Sequence, residues 1–312
     1  MPDMHRQPSP ATTETTISFE FFPPKTDASA EKLWGAVGQL SSLDPQFVSI
    51  TCGAGGSAIE GTSAVVRHIK DTFGIEAVPH VAIARQSRSR LRDALRAYAD
   101  GGVKRVVAVR GDDSQTQGDD FGTDIYADTV HFVSELRKDF ALDPIVAAYP
   151  DVHPRALSAQ ADLDHLRRKQ EAGAAMAVSQ FFFLAETFLR FRDKIRAAGI
   201  HLPLSAGIMP IHNLAQIVKF AQGCGTLVPE GFGSRFDRHA GDEKALLEEG
   251  IAHAADLCDQ LRREGVGHFH FYTLNRSEMT LAICEELGLG VRGSGFDEKT
   301  PEPRTPNPQQ FK

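Results

Sequence analysis

Cysteine and tryptophan are scarce in this sequence of 312 residues, which contains four cysteines and one tryptophan. No two cysteines form a C-x-x-C pair, which argues against a disulfide framework or a zinc knuckle. No apolar run approaches the roughly 18 residues of a membrane span. Residues 1–16 also lack the apolar stretch of a secretory signal. These absences predict a cytoplasmic protein with reduced thiols and no membrane partner.

An excess of positive charge is also missing. The 34 lysines and arginines are outnumbered by 41 aspartates and glutamates, which gives a formal net charge of −7. This balance argues against nucleic acid as a partner, because a nucleic-acid-binding surface needs clustered basic residues. The apolar share of 41% and charged share of 24% are typical of a globular protein.

Short β-branched or aromatic runs alternate with stretches of helical periodicity along most of the chain. The predicted strands are 17–22, 47–51, 77–82, 105–110, 145–150, 177–183, 202–208 and 268–273. The predicted helices are about 29–42, 59–73, 87–101, 124–139, 158–172, 185–198, 212–222 and 276–287, with a further amphipathic helix at about 242–264.

Eight strand–helix units predict an α/β fold of the (β/α)8 TIM-barrel type, because parallel strands need crossover helices. The additional amphipathic helix would precede the last strand. We expect a single catalytic barrel at 17–291, between a disordered tail at 1–16 and a disordered proline-rich tail at 292–312. A Gly-x-Gly-x-x-Gly at Gly288 follows a helix instead of a strand, so it does not indicate a dinucleotide fold.

The chemistry of such a barrel sits where its strands end, and strand one ends with Glu20 among three phenylalanines. Burial of a carboxylate raises its pKa, so Glu20 is a candidate general acid. The alternative is that Glu20 faces outward or pairs with a basic side chain. Strand two runs into Thr51 and Cys52 before a glycine-rich turn, which suits either a ligand approaching the backbone or an ordinary loop.

Polar side chains at other strand ends can each be interpreted in two ways, as ligand-binding groups or as structural ones. Strand four ends with Arg110, Gly111 and Asp112, which could bind phosphate and a ring donor or form a surface ion pair. The helix after strand five carries a stripe that indicates a phosphate contact or a solvated face; it comprises Asp162, His165, Arg168 and Lys169. Gln180, after strand six, suits the edge of a heterocycle or a bond inside the barrel.

Histidines leave a metal site open as an alternative. His268 and His270 share one face of strand eight, and His80 and Asp112 could complete a ligand set. A metal-dependent TIM-barrel hydrolase is therefore the alternative function, although this spacing is weak support for a metal.

Ordered motifs point to a particular family. The segments are SFEFFPPK (18–25), VRGD (109–112), AAYPDVHP (147–154), SAQADL (158–163), SQFFF (179–183), FLRFRDK (188–194), GIMPI (207–211) and HFYTLNR (270–276). In this order and spacing they closely resemble the bacterial methylenetetrahydrofolate reductases, over roughly 16–289.

The resemblance implies an oxidoreductase with tightly bound FAD. NADH or NADPH would give a hydride to FAD and leave, and methylenetetrahydrofolate would then take that hydride and become methyltetrahydrofolate, which supplies methyl groups for methionine synthesis. It implies a cytoplasmic homo-oligomer that binds these small molecules. A folate- or flavin-binding subunit without activity is a third reading, disfavoured by the presence of Glu20, Asp112 and Gln180 together.

The resemblance also assigns residues. Glu20 and Asp112 would be catalytic, and no metal is implied. The cofactor-binding residues would be Thr51, Cys52, His80, Arg110, Gly111, Asp112, Ala127, Tyr149, His153, Ala156, Asp162, His165, Arg168 and Lys169. The substrate-binding residues would be Asp112, Gln180, Gln216, Phe220 and Arg276.

Overall fold

The computed structural model describes residues 14–52, 58–84, 86–111 and 124–290, with the backbone alone for 58–60. The strands in these segments are β1 (Thr16–Phe21), β2 (Phe47–Ile50), β3 (Ala77–Ala82), β4 (Arg105–Val109), β5 (Asp143–Ala148), β6 (Met176–Ser179), β7 (Leu204–Ile208) and β8 (His268–Tyr272). All eight lie where the sequence predicts a strand. The tails predicted at 1–16 and 292–312 fall outside the described residues, apart from 14–16.

The strands form a closed barrel in chain order, and every neighbouring pair is parallel. β1 closes the barrel by pairing with both β2 and β8. Glu20 lies opposite Ser49 on one side and opposite Tyr272 on the other. The predicted (β/α)8 barrel is therefore confirmed.

Helices surround the barrel and connect its strands. They are α1 (Asp27–Ser41), α2 (Ala58–Phe73), α3 (Arg88–Asp100), α4 (Thr129–Phe140), α5 (Ala159–Glu171), α6 (Ala185–Ala197), α7 (Leu214–Cys224), α8 (Ser234–Asp237), α9 (Glu243–Arg263) and α10 (Glu278–Glu286). The extra amphipathic helix predicted at 242–264 is α9, whose first turn is capped by Asp242. Within the described segments, no helix has the length and apolarity needed to cross a membrane.

Two boundaries differ from the prediction for local reasons. α4 begins at Thr129, five residues later than predicted, because the carboxylate of Asp128 caps the helix by accepting a hydrogen bond of 2.8 Å from the backbone N–H of His131. β6 ends at Ser179 instead of 183. The aromatic run beyond it leaves the sheet, since Phe182 packs on Phe188 of α6 at a ring distance of 5.1 Å.

The barrel interior is apolar on one side and polar on the other. The apolar side is a cluster of Phe47, Val78, Val107, Ile145 and Val178. On β1, Phe19 and Phe21 pack in the layer between the barrel and its helices. Because side chains alternate across a strand, Ser18 and Glu20 face the interior.

Candidate active site at the carboxyl end of the barrel

Glu20 lies in the barrel mouth between two histidines of other strands. Its Oε2 atom is 3.4 Å from Nε2 of His80 on β3 and 3.8 Å from Nε2 of His270 on β8. The Glu20 side chain is 15% exposed and that of His270 only 3%. An acid flanked by two imidazoles can store a proton and exchange it with either neighbour.

The pKa of Glu20 lies below its ordinary value, and the sequence-based expectation of a raised pKa was wrong. Burial raises this pKa, but the polar contact with His270 and the charges that His80 and His270 can carry outweigh burial. The expectation failed because Phe19 and Phe21 point into the helix layer and not toward the carboxylate. Glu20 is therefore ionised at neutral pH in this structure.

The two histidines have different surroundings. Burial lowers the pKa of His80 although Glu20 opposes this effect, and its enclosed Nε2 atom has no hydrogen bond to any of the described residues. His270 is fixed by Ser18, whose Oγ atom lies 2.7 Å from its Nδ1 atom. The ring of His270 also stacks on Phe47 at 5.8 Å. The Nε2 atom of His270 is thereby directed toward the carboxylate.

A buried ammonium group lies beside the end of β5. Lys169 of α5 is 8% exposed, and its Nζ atom donates a hydrogen bond of 3.2 Å to the carbonyl of Ala147. Burial lowers its pKa to about 8, although Asp162 and Asp128 oppose the shift. Asp162 in turn accepts a hydrogen bond of 3.0 Å from the backbone N–H of His153.

His165 and Arg168 extend this group along α5. The Nε2 atom of His165 is 3.1 Å from the hydroxyl of Thr129. The Nδ1 atom of His165 is 3.2 Å from the guanidinium group of Arg168. Burial and then the neighbouring Lys169 and Arg168 lower the pKa of His165 to about 4, so the ring is neutral at pH 7. Lys169 lines a cleft of about 190 Å³, together with Tyr149 and Asp162, and Arg190 and Lys194 of α6 add two further cations to its lining. This donor set suits an anionic group such as a diphosphate.

The sequence matches the family model for methylenetetrahydrofolate reductase over residues 4–288. The chain belongs to this family. It is 44% identical over 273 residues to the 5,10-methylenetetrahydrofolate reductase of Pectobacterium carotovorum subsp. carotovorum, covering 88% of this chain and 90% of that protein. It is 42% identical over 276 residues to the enzyme of Escherichia coli strain K12, covering 88% of this chain and 92% of that protein.

A solved structure supports the fold of this methylenetetrahydrofolate reductase family member. It is an uncharacterised Clostridium thermocellum protein that binds two copies of 5-methyl-5,6,7,8-tetrahydrofolic acid. The two structures superpose with a TM-score of 0.63 over 89% of this chain and 96% of that one, at 13% sequence identity. At this identity the likeness shows a shared fold alone.

The ends of β2 and β4 bring further predicted residues of this family member to the same end of the barrel. Thr51 donates a backbone hydrogen bond of 2.9 Å to Phe21, and the half-buried Cys52 follows it. Gly111 has a φ of +85°, and a Cβ there would come 2.8 Å from the Cβ of Ala82. The glycine thus permits a close backbone approach. Asp112, predicted to be both catalytic and binding, lies outside the described residues.

The remaining predicted residues lie in loops and helices of the same rim. Gln180 follows β6, and its Oε1 atom accepts a hydrogen bond of 3.0 Å from the backbone N–H of Phe181. Gln216 and Phe220 are exposed on α7, whereas Arg276 is exposed just before α10. The other predicted residues lie in loops. Ala127 is exposed before α4, and Ala156 is half-buried before α5. Tyr149 and His153 lie between β5 and α5, with their ring centres 4.5 Å apart.

His268, one of the candidate metal ligands, is hydrogen-bonded to side chains of the barrel. Both ring nitrogens of His268 lie near hydroxyl groups, Thr16 at 2.7 Å and Ser18 at 2.9 Å. Among the described residues, no three histidine, cysteine, aspartate or glutamate side chains are grouped as a metal site would require. The hydrolase alternative is not favoured.

Sequence reasoning missed Gly207 and Tyr272 beneath the mouth. The Tyr272 hydroxyl donates a hydrogen bond of 2.8 Å to the carbonyl of Ser179, and the ring lies over Gly207. A Cβ at Gly207 would stand 2.2 Å from the oxygen of Ser179 and 2.8 Å from the tyrosine ring. A glycine inside a strand was the available signal, because it often marks a close approach.

Thr273 and Asn275 were also missed, although they belong to the HFYTLNR motif. Thr273 donates a hydrogen bond of 2.6 Å to the carbonyl of Glu20. Asn275 is bonded to the backbone of Phe22. The loop after β8 therefore holds the end of β1 in place, and with it the acid.

Proposed function

We propose that this protein reduces methylenetetrahydrofolate to methyltetrahydrofolate, with NADH or NADPH as hydride donor and FAD as tightly bound cofactor. The observation that carries the proposal is the position of Glu20, a nearly enclosed acid between His80 and His270 at the carboxyl end of the barrel. Family membership supports the same reaction. The nicotinamide and the folate would use the same mouth in turn, in a ping-pong sequence.

The residues along β4, β5 and α5 fit the cofactor. Lys169 and Arg168 supply cations for its diphosphate, and burial of the lysine strengthens the attraction by excluding water. Gly111 lets the end of β4 pack closely against Ala82 of β3, since a Cβ there would collide with it, and this places the backbone of residues 110–111 at the mouth where the cofactor would lie. When bound, the flavin of FAD accepts a hydride from the nicotinamide and passes it to the folate.

Glu20 supplies the acid. The five-membered ring of methylenetetrahydrofolate must open to an iminium ion before it accepts a hydride, and the departing nitrogen needs a proton at that point. Folate covering the mouth removes the water around Glu20, which penalises the carboxylate and raises its pKa. Glu20 then takes up a proton and donates it to the nitrogen, while Ser18 holds His270 ready to return one.

The test is an anaerobic absorbance experiment on the purified protein. NADH and NADPH are added separately, and methylenetetrahydrofolate follows. Bleaching of a yellow protein by one nicotinamide and recovery of the colour with folate support both half-reactions and identify the donor. A colourless protein that cannot be reconstituted with FAD would overturn the proposal.

A further inference from the structure

A line of hydrogen-bonding side chains runs inside the barrel and ends at His270, whose Nε2 atom lies 3.8 Å from the Glu20 carboxylate. Thr16 and Ser18 on β1 lie opposite His268 and His270 on β8 in the strand register. The hydroxyl oxygen of Thr16 is 2.7 Å from Nδ1 of His268, and that of Ser18 is 2.9 Å from its Nε2. The same Ser18 oxygen is 2.7 Å from Nδ1 of His270. We name these four side chains the axial chain.

The two ends of the axial chain differ in their access to water. Thr16 and His268 begin their strands at the amino-terminal face of the barrel and are half-buried, whereas His270 is 2% exposed. At the other end, Nε2 of His270 faces the Glu20 carboxylate across 3.8 Å. The axial chain therefore joins the amino-terminal face to the acid in the mouth.

Apolar packing insulates the axial chain from the rest of the interior. Phe47 stacks on both imidazoles, with its ring centre 6.0 Å from that of His268 and 5.8 Å from that of His270. The guanidinium group of Arg105 also lies 4.6 Å from the ring centre of Phe47, and it is paired with Glu76 at 2.6 Å. Among the described residues, the other titratable groups that face Glu20 are His80 and Tyr272.

The donors and acceptors of the axial chain can all point in one direction. If Thr16 donates to Nδ1 of His268, then Nε2 of His268 donates to Ser18. Ser18 then donates to Nδ1 of His270, which leaves the Nε2 proton of His270 directed at Glu20. Burial, with smaller effects of His270 and Arg105, lowers the pKa of His268 to about 3, so its ring is neutral and has one donor and one acceptor.

We propose that the axial chain delivers the proton consumed in each turnover to Glu20 from water at the amino-terminal face of the barrel. This inference rests on the proposed function, in which the folate receives a hydride from the nicotinamide and a proton from water. The folate covers the mouth during that step, so a path from the opposite face supplies the acid without opening the site.

The transfer balances at every atom. Water gives a proton to Thr16 and leaves hydroxide in the bulk solvent, as the Thr16 proton moves to Nδ1 of His268 and Nε2 of His268 releases one to Ser18. Ser18 passes a proton to Nδ1 of His270, and Nε2 of His270 passes one to Glu20. Each imidazole exchanges one tautomer for the other and stays neutral, and no electrons are transferred. After the folate has left, a proton that enters Glu20 from water in the open mouth returns along the same side chains and restores both starting tautomers.

The Thr16 hydroxyl can serve both tautomers of His268. It lies 3.1 Å from the carbonyl of Gly267 as well as 2.7 Å from His268 Nδ1. The hydroxyl therefore donates to the carbonyl when Nδ1 carries the proton, and to Nδ1 when it does not. A valine at this position would keep the side-chain shape and remove both options.

The kinetic test compares Thr16→Val with Thr16→Ser in the holoenzyme. The reduced protein is mixed anaerobically with saturating methylenetetrahydrofolate, and flavin reoxidation is followed in H2O and in D2O. We expect Thr16→Val to slow this half-reaction about tenfold, which is less than the roughly 10²–10⁴-fold lost with an acid that acts directly on the substrate, and to change its solvent isotope effect. Thr16→Ser should restore most of the rate. Reduction by the nicotinamide, which does not draw on Glu20, should be unaffected.

Ser205→Ala is the matched control, because within the described segments the Ser205 hydroxyl hydrogen-bonds to the backbone oxygen of His268, at 3.4 Å, and to no side chain of the axial chain. It should leave both half-reactions and the isotope effect unchanged. Equal reoxidation rates for Thr16→Val and Thr16→Ser would overturn the proposal that the axial chain delivers the proton. Equal slowing of both half-reactions by Thr16→Val would overturn it as well. Failure of the unsubstituted holoenzyme to reduce folate would overturn the proposed function instead.

A second measurement does not depend on turnover. ¹⁵N NMR of labelled histidine reports which ring nitrogen carries the proton. In Thr16→Val we expect the signals of His270 to shift together with those of His268, since Ser18 links the two rings. A response confined to His268 would show that the chain is not connected and would contradict the proposal.

Discussion

Asn275 binds both backbone groups of Phe22. Its Oδ1 atom accepts a hydrogen bond of 2.8 Å from the Phe22 N–H, and its Nδ2 atom donates one of 3.0 Å to the Phe22 carbonyl. Asn275 adopts a φ of +58°, a left-handed conformation that asparagine tolerates better than most residues. The side chain completes the barrel mouth where β1 has ended and has no further strand partner.

Replacement of Asn275 by alanine should destabilise the protein. Two hydrogen bonds are lost and alanine is strained at this φ, so we expect the free energy of unfolding to fall by about 1–2 kcal/mol. Urea denaturation measures the change. Asn275→Gly separates the two causes, because glycine loses the bonds without the strain. If neither Asn275→Gly nor Asn275→Ala changed the free energy of unfolding, the two hydrogen bonds between Asn275 and Phe22 would contribute nothing to stability.

Glu20→Gln should separate the two half-reactions. The amide keeps the size of the side chain but cannot donate a proton as an acid does, so folate reduction should fall by about 10²–10⁴-fold. Flavin reduction by the nicotinamide should persist. The control is Ser49→Ala, which alters a buried residue opposite Glu20 whose hydroxyl has no hydrogen-bond partner. Normal folate turnover in Glu20→Gln would remove Glu20 from the mechanism.

Lys169→Met should weaken FAD binding. Loss of one charge-assisted contact costs about 1.5–3 kcal/mol, which corresponds to a rise in Kd of about 10–100-fold. The Kd is measured by titrating the apoprotein with FAD and following flavin fluorescence. Lys138→Met removes the same charge from an exposed position on α4 and should leave the Kd unchanged. Equal Kd values for both variants would exclude Lys169 from the cofactor site.

Gly207→Ala should be severely destabilising, since its Cβ would stand 2.2 Å from the carbonyl oxygen of Ser179. We expect a loss of about 3 kcal/mol in the free energy of unfolding, at the upper end of the usual range for overpacked cores. Gly35→Ala is the matched control. Nothing lies within 4 Å of a Cβ at Gly35 in α1, so that change should be neutral or stabilise by about 0.5–1 kcal/mol. Thermal unfolding distinguishes the two.

Stability should fall as the pH is lowered from 7 toward 4. Burial is the main cause that lowers the pKa of His268 to about 3, and those of His165 and His253 to about 4. These rings stay neutral in the folded protein but bind protons in the unfolded chain below about pH 6.5. The unfolded state thus binds more protons, and acid favours it. Urea unfolding across this range should show the slope, and His253→Gln should reduce it. A free energy of unfolding that does not change would contradict the burial of these rings.

Strand positions could be predicted from the sequence, whereas the state of the acid could not. Period-two runs locate β1 and β8 to within a residue, because strand burial is a local pattern. The pKa of Glu20 depends on His80 and His270, which are distant in sequence and meet it only across the closed barrel. The pattern of three neighbouring phenylalanines was misleading, since alternation sends Phe19 and Phe21 to the opposite side of the strand.

Helix α5 is a second case in which the sequence pattern alone could not identify the role of the residues. The stripe of Asp162, His165 and Lys169 was visible in the sequence, but a solvated face and a binding face have the same spacing. In the structure Lys169 is buried against Ala147, so its position on the stripe is not a solvated one. Burial against another element is a tertiary property, so the helix period alone does not contain it.

Closure of the barrel between β1 and β8 has a consequence for synthesis of the chain. The contact between Ser18 and His270 spans 252 positions, and that between Phe22 and Asn275 spans 253. Contacts of such long range form late, because the intervening chain must be ordered first. Until β8 has emerged from the ribosome and paired with β1, Glu20 lacks His270 beside it and the end of β1 lacks its contact with Asn275. The arrangement around Glu20 is therefore completed by the last strand of the barrel.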